Sequence, residues 1–247
     1  MNFYLLFLQF CLYSIIGWIC EVIFCSIPQK RFVNRGVLRG PWCPIYGFGG
    51  LLLSLTLTPL AAHPLLCYLL GVLLTSALEY LTSFLLERYF HAKLWDYSNR
   101  KLQLHGRICL LNSSLFGLLA LALVYLIQPL FQRLIGLIPE QVIPVVSTVL
   151  LVLFSIDVTA GVSDSIQFKA LLRRLHELGE QLEARQQNHR DDTSRRIREL
   201  LESERQRLLH AKHTGRRLLK AFPTMSSTRF GDPLERLRTL LREKRGK

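Results

Sequence analysis

Five apolar runs, at residues 3–27, 45–62, 64–90, 109–131 and 142–166, fill most of the first two thirds of the chain. A helix needs roughly 20 apolar residues to cross the hydrocarbon core of a bilayer. The runs are apolar on all sides, whereas a surface helix of a soluble domain carries a stripe, so a large soluble helical core is the disfavoured alternative. The run 45–62 is the shortest. The run 3–27 has no basic segment before it, contains Glu21 and is followed by no A-x-A cleavage site, so it reads as a retained first span and not as a signal peptide.

Charge divides the chain at the same place. Residues 1–165 carry 10 Lys/Arg and 7 Asp/Glu, whereas residues 166–247 carry 21 and 11. The expected fold class is therefore an all-α membrane protein: about five transmembrane helices (two parallel-repeat hairpins plus a fifth span), then a cytosolic helical or coiled-coil tail. The domains are 1–166, transmembrane, and 167–247, basic and cytosolic. Loop charges give the orientation. Segment 28–44 holds Lys30, Arg31, Arg35 and Arg39 with no acid, and segment 91–107 holds Lys93, Arg100, Lys101 and Arg107 against Asp96. The turn at Ala62 and His63 has no formal charge, and the turn 132–141 has Arg133 and Glu140. Basic loops alternate with neutral ones, which puts the N-terminus outside and both basic loops and the C-terminus in the cytosol. The six cysteines include no C-x-x-C pair, so no zinc or redox site, and no cofactor, is expected.

The two basic loops resemble each other. LRGPWCPIYG (38–47) and LHGRICLLNS (104–113) share Leu, a basic or imidazole residue, Gly and Cys in register. Asn34 and Arg35 face Asn99 and Arg100 upstream, and Glu21 faces Glu87. This reads as a duplicated membrane hairpin with a polar corner, both copies running the same way. Irregular backbone at membrane depth is tolerated only where protein or a wet cavity covers it.

The acids point to the same end. Glu21, Glu79, Glu87, Asp157 and Asp164 all fall in the cytosolic half of their spans. A carboxylate at the bilayer centre costs roughly 2.5–3.5 kcal/mol on insertion scales, so a set confined to one half suggests a common environment. The candidate substrate-binding or structural polar pocket comprises Glu21, Asn34, Arg35, Arg39, Glu79, Glu87, Asn99, Arg100, His105, Arg107, Asn112 and Asp157. Glu87 and Asp164, nearest the interface, have solvation as the simpler reading.

GWICEVIF (17–24), RFVNRGVLRGPWCPIYGFG (31–49), LEYLTSFLLERYFHAKLWDYS (78–98) and HGRICLLNSSLFG (105–117) resemble the bacterial ABC-transporter type IV membrane family, a permease-like group. The resemblance covers about residues 1–165 and implies a permease subunit of the bacterial inner membrane. The sequence has no G-x-x-x-x-G-K-[ST] loop, so an ABC role implies a separate ATPase subunit. Five spans are few for a solitary permease, which implies a homo-oligomer or a membrane partner.

In the tail, leucines at helical spacing (Leu171, Leu172, Leu175, Leu178, Leu182, then Ile197, Leu200, Leu201 and Leu208) read as an amphipathic or coiled-coil helix, and Asp232-Pro233 opens a last short one. Its arginines suit anionic lipid or a partner helix. No base-reading motif is present, so nucleic acid is disfavoured. Three functions compete: a permease, a membrane scaffold recruiting a partner through the tail, and, with least support, an enzyme using the carboxylates, His105 or Cys43.

Overall fold

The computed structural model describes residues 2–30, 32–90, 93–186 and the short stretches 217–219, 221–222 and 225–226. In chain order the elements are α1 (Phe3–Gln29), α2 (Pro44–Leu57), α3 (Pro64–Phe90), β1 (Gln103–Leu104), β2 (Ile108–Cys109), α4 (Leu110–Ala122), α5 (Gln128–Gly136) and α6 (Val142–Gln186). The strands form one antiparallel hairpin, Gln103 opposite Cys109 and Leu104 opposite Ile108. Arg31, the leucine-rich stretch from Ile197 to Leu208 and the helix expected at Asp232-Pro233 lie outside the described residues.

Among the described residues, four helical stretches are long and apolar enough to cross a membrane: Phe3–Ile27, Pro64–Tyr89, Leu110–Gly136 and Val142–Arg174. The second of the five expected spans is shorter. The run 45–62 makes α2 and a 3-10 turn, Thr58–Leu60. Together they reach about 27 Å at the rises of the two helix types, a little under the ~30 Å hydrocarbon core.

Local chemistry sets the helix ends. The Asn2 side chain caps α1 by accepting from Tyr4 N at 3.1 Å. Pro44 opens α2 at a position where a missing N–H costs nothing. Between α4 and α5 the chain widens into a π turn, Leu123–Ile127. Pro129 follows at once; in a regular helix its ring would crowd the Tyr125 carbonyl and leave it without a donor, and one wide turn absorbs that conflict.

The described residues divide into two compact units. The first joins Met1–Leu85 and Asp96–Gly161; the second joins Leu86–Trp95 and the described residues from Val162 onward. Within the first, α1 and α2 lie unusually close. A Cβ on Gly17 would fall 2.1 Å from the Tyr46 ring, and one on Gly47 2.3 Å from Ser14 Oγ. Small residues at such crossings let backbones approach where lipid supplies no hydrophobic drive. Gly117 does the same for α4 against α3, its absent Cβ lying 2.5 Å from Val72. Phe10, Cys11, Leu38 and Trp42 form one buried cluster, with Phe154 edge-on to Phe10 and Trp42. Buried Gln128 accepts from the Tyr13 hydroxyl, and Ser147 Oγ donates to the Tyr4 carbonyl at 3.0 Å. Outward, Leu65, Leu69, Leu73, Val145, Val149, Val152 and Ile156 are exposed. Large exposed apolar surface of this extent is what a lipid-facing wall presents.

In the second unit Phe168, Leu172, Leu218, Ala221, Phe222 and Met225 are buried. Lys93 and Ser226 exchange backbone hydrogen bonds at 2.8 and 3.0 Å. Lys169 Nζ donates to the Tyr89 carbonyl at 2.7 Å, and Arg217 Nη2 meets Asp164 Oδ2 at 3.2 Å. Part of the basic tail thus contributes to a core of its own, and Asp164, 4% exposed on its side chain, is an ion-pair partner within it.

Candidate functional site

The corner between α1 and α2 is built around two carboxylates. Glu21, in the later part of α1, accepts from the Tyr46 hydroxyl on Oε1 at 2.8 Å and meets Arg35 Nε on Oε2 at 3.3 Å. Asn34 beside it accepts from Trp18 Nε1 at 2.7 Å and donates to the Arg39 carbonyl at 3.0 Å. Trp18 and Glu21 are three apart on one helix, so they share a face, and that face receives the incoming loop.

The second carboxylate comes from α6. Asp157 Oδ1 accepts from the backbone N–H of Arg39 at 3.1 Å, and Oδ2 from that of Gly40 at 2.9 Å. Two successive main-chain N–H groups turned to one carboxylate make an anion-holding nest, here filled by the protein's own side chain. Close approach explains the glycine. A Cβ on Gly40 would stand 3.0 Å from Asp157 Oδ2 and 2.9 Å from Trp42. One turn further along α6, a Cβ on Gly161 would press on Leu38 at 2.7 Å. Asp157→Asn is expected to lower stability by about 1.5–3 kcal/mol, the range for hydrogen bonds to a charged group, because the amide turns one of its own donors toward a backbone donor. Denaturant unfolding in detergent reads this; an unchanged midpoint rejects the pinning role.

Glu79 on α3 is more buried, at 5% exposure. Its Oε1 accepts from the Tyr97 hydroxyl at 3.3 Å. Its Oε2 is buried with no hydrogen-bond partner among the described residues. Asn112, in the first turn of α4, also reaches the Tyr97 hydroxyl. Burial first, and the Glu79 charge second, raise Tyr97 well above the ordinary phenol value, so Tyr97 keeps its proton and remains a donor. The Glu21 charge is felt at Tyr97 as well, and Tyr46 and Phe116 pack with ring centroids 6.0 Å apart. The two corners of the first unit are therefore neighbours.

The second corner adds a basic cluster. Arg107 Nη1 donates to the Tyr80 hydroxyl at 3.0 Å, and its guanidinium lies 5.1 Å from the Tyr80 ring centroid and 5.4 Å from that of Phe84. His105 Nδ1 is 3.1 Å from the same hydroxyl. The loop is shaped by Asp96, which accepts from Ser98 N at 3.0 Å, and by left-handed backbone at Leu102, His105 and Gly106.

Of the twelve residues expected in one polar pocket, the first unit gathers Glu21, Asn34, Arg35, the main chain of Arg39 and Asp157 at the first corner, Glu79 and Asn112 at Tyr97, and His105 and Arg107 at Tyr80. Asn99 and Arg100 are exposed on the second corner. Glu87, half-buried, belongs to the second unit. Sequence reasoning missed Trp18, Tyr46, Tyr80 and Tyr97, the side chains that meet the polar residues of both corners. Their signal was available: each is a hydrogen-bonding aromatic in or beside an apolar run, where Tyr and Trp need a partner for the polar tip. Chemistry at Cys43 is disfavoured, because burial, with the Glu21 charge next, pushes its thiol up to about 12, leaving it protonated and a poor nucleophile.

No curated protein and no solved structure matches the chain. Residues 8–162, well over half its length, match the family described as "Putative ABC-transporter type IV". With four apolar helices of membrane-crossing length among the described residues, the chain belongs to that family and is a multi-pass membrane protein of a transport-associated kind.

Proposed function

We propose that the chain is a permease-like transport subunit with both corners and the tail in the cytosol, binding a small charged solute at the corner end of its first unit. One observation carries this. Three carboxylates from three different helices, Glu21, Glu79 and Asp157, each meet a residue of a corner loop. Acids inside spans are rare and mark solute or ion paths. On this reading an ABC mode of action requires a separate ATPase subunit, since the chain lacks a phosphate-binding loop. Uptake or export by vesicles bearing the chain, compared with vesicles lacking it, tests the reading; no solute moving in either direction, with and without ATP and partner subunits, rejects it.

The duplicated hairpin belongs to the same proposal. Both α2 and α4 begin directly after a cysteine, Cys43 and Cys109, 66 residues apart. Gly47 packs on Ser14, and 66 residues on from Gly47, Ser113 is hydrogen-bonded to Ser76 at 2.8 Å. Ser76 follows Ser14 by 62, not 66. The contacts that support a duplication thus run in a register where the second corner is four residues longer. In that proposed register Glu21 corresponds to Ser83 and Gly17 to Glu79, whereas the corner motifs pair Glu21 with Glu87.

A scaffold role is the second reading, favoured by the tail's excess of positive charge. Removing residues 227–247 spares Arg217, Phe222 and Met225. A carrier is expected to keep its flux after this cut, while a scaffold loses capture of its partner or of anionic vesicles.

A further inference from the structure

Of the three helix-borne carboxylates that meet the corner loops, two are compensated in place. Glu21 has a guanidinium and a phenol, and Asp157 has two backbone N–H groups. Glu79 is different. It is the most buried of the three and receives one neutral donor on Oε1, while Oε2 is sealed from solvent without a partner among the described residues. A charged oxygen left so in a low-dielectric interior is strongly disfavoured, and one bound cation removes that penalty.

The surroundings select which cation. A hard metal ion takes about six oxygen ligands, and the described residues contain no group of three His, Cys, Asp or Glu side chains able to hold one. A proton needs a single oxygen. The groups facing Glu79 are Tyr97 from the second corner, Asn112 from α4 through that hydroxyl, and Glu21 from α1, whose charge reaches it. Glu21 carries its own counter-charge in Arg35. Tyr97 keeps its hydroxyl proton, so it donates to Oε1 whether or not Oε2 is occupied, and the carboxyl group stays in one orientation.

We propose that Glu79 is a proton-binding site: Oε2 takes up one proton from the corner side and gives it up again, while Glu21 and Asp157 remain fixed pins. The site stands on the geometry alone. Only its use, coupling solute movement to proton movement, rests on the carrier reading above.

Infrared difference spectra of the full-length chain in lipid nanodiscs, between acid and alkaline buffer, test this directly. The wild type is expected to show one titrating band of a buried, protonated carboxyl group that shifts in D2O. Glu79→Gln loses the band, and Glu87→Gln keeps it. A wild type without such a band, or a band that survives Glu79→Gln, overturns the proposal. Should Glu79→Gln fail to accumulate, Tyr97→Phe serves in its place. It leaves Glu79 intact but removes the Oε1 donor, so both the frequency and the midpoint of the band move; a band unmoved in both overturns the assignment. No flux is read here, so a chain that shows the band but carries no solute rejects the carrier reading and leaves the proton site standing.

Discussion

Replacing Gly17 by leucine is expected to leave almost no folded protein in the membrane. The first atom added at this position would fall 2.1 Å from Tyr46 Cγ and 2.2 Å from its Cβ. The tyrosine cannot swing aside freely, because its hydroxyl is bound to Glu21 at 2.8 Å and its N–H to the Cys43 carbonyl at 2.9 Å. Either α2 moves off α1 or that hydrogen bond breaks. Overpacking of a tight core costs about 1–3 kcal/mol and at times more, and losing a hydrogen bond to a charged group adds about 1.5–3 kcal/mol. The total is comparable with the whole stability of many domains. Gly17→Ala should fall between the two. Size-exclusion profiles of a fluorescent fusion in mild detergent report the folded fraction, and a wild-type profile for the leucine variant contradicts the close crossing of α1 and α2.

Removing the cation from the first corner is the second large effect. Arg35→Met leaves Glu21 with the Tyr46 hydroxyl alone. Breaking a buried pair by deleting one partner costs about 3–5 kcal/mol. Side-chain exposures of 15% for Arg35 and 24% for Glu21 admit some water, which places the expected loss toward the lower end. The sign of the coupling discriminates better than the size of the loss. Adding Glu21→Gln to Arg35→Met removes the uncompensated charge, so the double variant should be more stable than Arg35→Met by itself, with an interaction energy of about 0.5–3 kcal/mol. Strictly additive losses in a denaturant series mean that the pair is not coupled and that Arg35 acts elsewhere.

Much of this architecture is legible in the residues, and the parts that are not share a cause. Apolar length gives the spans, and even the shortness of the run 45–62 foreshadows a helix that stops at Leu57 and finishes as a 3-10 turn. Acids within apolar runs are conspicuous because they are costly there. Their partners are not conspicuous. Glu21 and Tyr46 sit on different helices, and no local spacing links them. Asp157 is held by main-chain N–H groups, which every residue but proline has and which therefore leave no compositional trace; Gly40 is the one visible sign, as a position where a side chain would collide. In the tail, a segment dominated by arginine reads as a solvated face, yet Phe222, Met225 and the Arg217–Asp164 pair are buried or partly buried in a second core.

A solute or proton path at the acids depends on both corners lying on one side of the membrane. Single cysteines placed at Lys30, Ala62, Asn99 and Lys247 in a cysteine-free background can be labelled with a membrane-impermeant maleimide, in intact and in permeabilised cells. Position 62 is expected to label in intact cells, and 30, 99 and 247 only after permeabilisation. Labelling of 30 or 99 from outside intact cells would contradict it, because the corners would no longer lie together on the cytosolic face.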